Sequence, residues 1–247
     1  PVCTSEWSCM HAIQINNLIF RWKRDGATVL SLDAIRIARG EQVFISGPSG
    51  SGKSTLLSLL AGVTTAEQGS LQVLGNRLER LGGVERDHFR ANHIGYIFQM
   101  FNLIPYLSMV DNVTLPCRFS RQRREKAVKR SGTPEHEALR LLDHLDMAHD
   151  ELLDRPVTTL SVGQQQRVAA ARALMGSPEI VIADEPTSSL DANRREAFVQ
   201  LLFKECGESG ATLVFVSHDE SLEPLFERRI PLQEANRAAH TETRTCR

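Results

Sequence analysis

The run Gly47-Pro48-Ser49-Gly50-Ser51-Gly52-Lys53-Ser54-Thr55 constrains this chain more than any other segment. It satisfies the pattern G-x-x-x-x-G-K-[ST], with Gly47, Gly52, Lys53 and Ser54 at the fixed positions. An apolar stretch, Gln42 to Ser46, precedes it and reads as a strand. Thr55 to Leu60 follows it and reads as a helix. In that context Gly50 and Gly52 permit backbone conformations closed to other residues. Successive N–H groups then line a concave nest at a helix start, a place that favours anions. Lys53 adds a mobile positive charge for outer phosphates, and Ser54 a hydroxyl for a magnesium ion.

The chain of 247 residues is long enough for one large domain with a proper core, and 41% hydrophobic residues make it globular. A formal net charge of −1 gives no global attraction to nucleic acid, and none is expected as a partner. No apolar run approaches the ~18 residues of a membrane span, and Pro1 to Trp7 lacks a secretory-signal pattern. Cys3, Cys9, Cys117, Cys206 and Cys246 are scattered without Cys-x-x-Cys pairs, which favours reduced thiols over a zinc site.

Period-two alternation predicts strands over 11–20 and 29–38, antiparallel to each other, and another over 69–74. Residues 94–98 are short and β-prone. Residues 100–160 change character, broken by Pro105 and Pro116, with a helix predicted over 135–147. The Ala-rich stretch 162–175 predicts a helix. Apolar runs at 179–183 and 212–217 suit buried parallel strands, with a helix over 191–206 between them. The tail from Glu234 is polar and expected to fray.

Two further constellations join the phosphate loop. The strand ending Ile182-Ala183-Asp184-Glu185 would present two carboxylates at the C-terminal end of a parallel strand, where α/β folds bind ligands. Asp184 can hold magnesium and Glu185 can polarise an attacking water, although adjacent carboxylates also suit a solvated turn. Ser161 is placed to cap the Ala-rich helix, whose start would receive a phosphate oxygen. An ordinary capped helix fits the same residues.

Together these features resemble the nucleotide-binding subunit of ABC transporters over essentially the whole chain. Residues 47–54 match the Walker A loop and 180–185 Walker B; Leu160 to Gln164 is similar to the Leu-Ser-Gly-Gly-Gln signature. Gln99 falls at the Q-loop, Ser189-Leu190-Asp191 at the D-loop and His218 at the H-loop. Trp22 falls where the family stacks an aromatic on adenine. The resemblance implies an α/β fold: a P-loop NTPase, RecA-like core (11–98 and 165–233) with an antiparallel β subdomain, an inserted helical subdomain (99–164) and a tail (234–247). It implies ATP and magnesium as cofactors and ATP hydrolysis as the activity. Nucleotide contacts fall on Trp22, Gly47, Ser49, Gly50, Ser51, Gly52, Lys53, Ser54 and Thr55. Ser54, Gln99 and Asp184 complete the magnesium shell, and Lys53, Gln99, Glu185 and His218 act on the γ-phosphate and water.

In this family the signature completes the site of a second subunit. The resemblance therefore implies a head-to-tail dimer with ATP sandwiched at the interface, each copy lending Ser161, Val162, Gly163, Gln164 and Asp191 in trans. Val162 stands where the family usually has Gly, and a β-branched residue tolerates positive φ badly. The segment Met100 to Ser108, followed by Asp111-Asn112-Val113, resembles the lipoprotein-release and macrolide-export branch, the LolD, MacB and FtsE types. That implies a separate FtsX/MacB-type membrane permease, docked on Phe101, Leu103, Ile104, Tyr106 and Leu107, and a position on the cytoplasmic face of the membrane. A division-type scaffold and a soluble ABC ATPase are the competing implications. The basic run Arg118 to Arg130 suits anionic lipid, a permease loop or a solvated helix face.

Overall fold

Alternation and continuous apolar runs build two different kinds of strand pairing. The computed structural model describes residues 10–147, 156–188 and 190–238. Cys3, Cys9, Cys246, Ser189 and the end of the polar tail lie outside the described residues. The strands are β1 (His11–Phe20), β2 (Leu30–Ala38), β3 (Gln42–Ser46), β4 (Gln68–Val73), β5 (Asn76–Arg77), β6 (Ile94–Ile97), β7 (Ile180–Asp184), β8 (Thr212–Ser217) and β9 (Arg228–Pro231). The helices are α1 (Lys53–Leu60), α2 (Gly83–His93), α3 (Met109–Thr114), α4 (Pro116–Phe119), α5 (Arg121–Ser131), α6 (Pro134–His144), α7 (Val162–Leu174), α8 (Ala192–Ser209) and α9 (Leu232–Ala235).

The chain forms two compact units, 1–87 with 214–247 and 88–213. In the first, β1 is the spine of an antiparallel sheet of order β2-β1-β4-β5. Ile15 lies opposite Ile35 on β2 and Leu71 on β4, so one face of the alternation meets itself across three strands and is buried. The same unit holds β3 parallel to β9, with Ile45 opposite Ile230. Phe44, Phe215 and Phe226 cluster beside this pair at centroid distances of 5.2–6.0 Å. The continuous run of β3 is thus buried on both faces, and the phosphate loop leaves its C-terminal end.

In the second unit β6 runs parallel to β7, Gly95 opposite Val181. The pairing is close: a Cβ on Gly95 would lie 2.2 Å from the Ala173 carbonyl oxygen of α7. The helices α3 to α7 pack beside it, with Ala169, Ala170 and Ala173 buried along α7. Small side chains let neighbouring elements approach that helix.

The predicted strands and helices are present with shifts at their ends. The helix predicted over 135–147 stops at His144, because Asp146 takes a left-handed backbone. The helix after Asp191 runs on to Ser209, where Gly210 supplies a left-handed C-cap. Helices α2, α3, α4 and α5 and the edge strand β9 carried no clear periodicity. The tail departs from expectation within the described residues. Asn236 and Ala238 are buried, and Asn236 is hydrogen-bonded four times through its side chain.

The basic run is not one solvated face. Arg123 is fully buried and donates to the carbonyls of Met175, Ala173 and Ile94 at 2.7, 2.6 and 3.4 Å. Burial lowers its guanidinium to about 10. Lys126 bonds the Ser177 carbonyl and Glu179. Burial alone would raise the Glu179 carboxyl. Hydrogen bonds and charge from His93 and Lys126 overcome that and hold it at about 2. Of its basic residues, Arg118, Arg121, Arg124, Lys129 and Arg130 are exposed.

Candidate functional site

Each unit carries its own set of candidate residues. In the first, α1 begins with no side-chain cap and no acidic residue in its first turn. Its N-cap, Gly52, has φ 96°, and a Cβ there would meet Leu30 Cδ2 at 2.6 Å, so any side chain at this position is strained. Gly47 is close-packed but less constrained: a Cβ there would sit 2.6 Å from Ser51 Oγ, the end of a side chain that can turn. The Ser51 hydroxyl is buried and finds no hydrogen-bond partner. Lys53 Nζ folds back to the carbonyls of Gly47 and Pro48 at 2.6 and 3.0 Å. An uncapped helix start, an orphaned hydroxyl and an ammonium on one short loop form a cradle for a polyanion. Thr55 is buried beneath it, while Ser49, Gly50 and Ser54 are exposed.

A cleft of about 420 Å³ lined by Gly47, Pro48, His218, Glu220 and Arg229 brings the His218 region to this loop. A second cleft of about 260 Å³ lies between the loop and Ala27, Thr28 and Val29. Trp22, 62% exposed, stands edge-on to Phe20 at 5.0 Å and does not line either cleft.

In the second unit β7 delivers Asp184 and Glu185 as the sequence predicts. Tyr96 on β6 donates its hydroxyl to Asp184 Oδ2 at 3.4 Å. Burial, then the Asp184 charge and hydrogen bond, push the Tyr96 phenol upward, so it stays a donor. Glu185 is buried and has φ 47°. A left-handed backbone is costly for a non-glycine residue and concentrates at functional sites. Gln99 is exposed just past β6.

Ser161 caps α7 in a full capping box. Its Oγ accepts from Gln164 N at 3.3 Å, and Gln164 Oε1 accepts from Ser161 N at 2.9 Å. Val162 is the first helical residue, so its backbone has no positive φ and the feared conflict does not arise. Its side chain is 51% exposed. Ser161, Gly163, Gln164 and Leu190 share a cleft of about 270 Å³. Asp191 caps α8, accepting from Arg194 N at 3.1 Å.

Sequence reasoning missed Tyr96, Asn236 and Arg172. Arg172 on α7 donates to the carbonyls of Phe101 and Asn102 at 2.5 and 2.6 Å. Those two residues have φ 60° and 49°, so the segment after Gln99 is held in a strained turn. Of the expected docking residues there, Tyr106 is 79% exposed, Phe101 is buried, and Leu103, Ile104 and Leu107 are half-buried. Each missed residue acts through backbone carbonyls or a partner remote in sequence, which no local pattern records.

Among the described residues no helix is long and apolar enough to cross a membrane. A profile of the family described as ABC transporter matches residues 31–188. The chain is 39% identical over 196 residues to the uncharacterised ABC transporter ATP-binding protein YbbA of Escherichia coli K12, covering 79% of this chain and 82% of that protein. It is 36% identical over 204 residues to the lipoprotein-releasing system ATP-binding protein LolD of Bacteroides fragilis, covering 82% and 89%. A dimeric structure of the cassette MJ0796 in a post-hydrolysis state, bound to ADP and Pi, superposes with a TM-score of 0.76 at 34% identity, covering 89% of this chain and 93% of that one. The cassette comes from Methanocaldococcus jannaschii.

Proposed function

The chain belongs to the ABC transporter family, and from that membership and the build of its phosphate loop we propose that two copies clamp ATP, hydrolyse it and so drive a separate membrane permease. The observation that carries the proposal is the start of α1, where Gly52 leaves the helix uncapped beside the unpartnered Ser51 hydroxyl and the Lys53 ammonium. That cradle is built for the charge of a triphosphate.

The roles follow from the chemistry of each side chain. Phosphoryl transfer to water needs mainly positioning and charge stabilisation. The loop amides and Lys53 hold the β- and γ-phosphates. Trp22, already exposed and steadied by Phe20, offers a ring face to adenine. Ser54, Gln99 and Asp184 would hold magnesium: the set is all oxygen, which suits a hard cation. That ion supplies neutralisation of phosphate charge. Tyr96 fixes the Asp184 carboxylate. Glu185 takes the proton of the attacking water, and His218 orients the γ-phosphate. From the second copy, the start of α7 faces the same phosphate. The Ser161 oxygen already accepts from Gln164 N, so its own O–H is the donor left for a γ-oxygen. Asp191 shapes the adjoining start of α8.

The likeness to LolD supports a permease of the FtsX/MacB type and a position on the cytoplasmic face of the membrane. The segment that Arg172 holds, with Tyr106 at its exposed tip, is the surface for that permease. Lys53→Ala tests the nucleotide assignment: magnesium-ATP binding and hydrolysis should both vanish, and normal hydrolysis in that variant would break it. Detergent pull-down from membranes, with sequencing of the retained protein, tests the partner. Recovery of a permease whose addition raises ATP turnover is expected, and recovery of none contradicts the transport reading.

A further inference from the structure

Resting on the ATP reading above, we propose that Asn236 is a positioning residue for phosphate binding: it sets the peptide plane between Ser51 and Gly52 and so aims the Gly52 N–H. The side chain is 2% exposed and all of its hydrogen-bonding atoms are engaged with backbone. Its Oδ1 accepts from Ser31 N at 2.8 Å and Ala238 N at 3.2 Å. Its Nδ2 donates to Val29 O at 2.9 Å and to Ser51 O at 3.3 Å. Two donors on one side and two acceptors on the other also fix which way the amide faces.

The consequence for the loop is geometric. In a trans peptide the C=O and the following N–H point in opposite directions. A Ser51 carbonyl tied to Asn236 therefore turns the Gly52 N–H away from Asn236. The same Asn236 amide grips Val29 O. That oxygen lies 3.4 Å from where a Gly52 Cβ would be, so strand and loop are registered by one side chain. Gly52, with no side chain and φ 96°, has little of its own to resist rotation of this peptide. Asn236 sits 185 positions from Ser51, in a segment the sequence marks only as polar. No other neutral side chain of this size offers a two-proton donor and an acceptor at once.

The test compares nucleotide affinity with fold stability in the whole chain. Asn236→Asp keeps the acceptor for Ser31 N but turns an oxygen towards two carbonyls. Asn236→Ala removes the donors without adding charge, and serves if the first variant fails to fold. Calorimetric titration uses magnesium-ATP and, separately, inorganic pyrophosphate, which probes the loop without adenine. We expect both ligands to bind roughly tenfold more weakly or worse, with kcat at saturating ATP within about threefold of wild type. A purely structural staple would lower the melting temperature and leave both constants alone. Unchanged constants in a folded variant overturn the inference while ATP binding by the wild type leaves the nucleotide reading standing. A wild type that binds neither ligand overturns the nucleotide reading itself, and the inference with it.

Discussion

The starts of α1 and α7 make an instructive pair. Both are helix N-termini with four N–H groups that the helix itself does not satisfy. The first leaves its cap to glycine, carries no acidic side chain and keeps a buried hydroxyl without a partner. The second closes on itself, with Ser161 and Gln164 exchanging bonds in a capping box. Glycine at Gly52 is forced by the fold, whereas a Cβ on Gly163 would rest at an ordinary 3.6 Å from Leu190. One helix start therefore keeps its donors open to an anion, and the other is capped by its own side chains with one hydroxyl proton to spare. The first suits a primary binding site. The second suits a contact made and broken once per cycle, because the capping box keeps Ser161 N and Gln164 N bonded whether or not anything approaches.

Substitution of Ser161 gives the largest effect that separates the two ends. Ser161→Ala should cut hydrolysis by roughly ten- to a hundredfold, as loss of one transition-state donor does. Thermal or urea melts should show about 1 kcal/mol of lost helix capping. Nucleotide affinity of the isolated copy, followed by fluorescence titration, should not move. A fall in that affinity like the one expected for Lys53→Ala would erase the distinction between primary and transient contacts. Val162 sharpens the comparison more gently. Val162→Gly should cost about 0.5 kcal/mol of stability through helix propensity. Because Val162 already has helical backbone, steady-state turnover should change by less than about threefold. A rise of several orders of magnitude would mean that the exposed isopropyl group obstructs the approach of the second copy.

What the sequence discloses follows the range of its physical causes. The phosphate loop is local: its glycines, lysine and flanking strand and helix all lie between Gln42 and Leu60, in the pattern that fixes its chemistry. β1 and β2 are legible because Ile13 and Ile15 on one strand and Ile35 and Ile37 on the other alternate with other neighbours, and Ile13 meets Ile37 and Ile15 meets Ile35 across the pair. β7 is legible because a run buried on both faces ends in Asp184 and Glu185. The arginine-rich α5 is not, since the inward turn of Arg123 depends on carbonyls some fifty positions away. Its charge pattern looks solvated, and only those carbonyls make burial tolerable. Asn236 is hidden for the same reason. A polar residue in a polar tail announces nothing until Val29 and Ser51 come round to meet it.

The most direct test of two copies sharing ATP is the oligomeric state of Glu185→Gln, which keeps the nucleotide cradle and lacks the carboxylate proposed as general base. Light scattering should show a monomer without nucleotide and a stable dimer with magnesium-ATP, and adding Ser161→Arg should return it to monomer with ATP still bound. A Glu185→Gln protein that binds magnesium-ATP yet stays monomeric at high concentration would contradict the account.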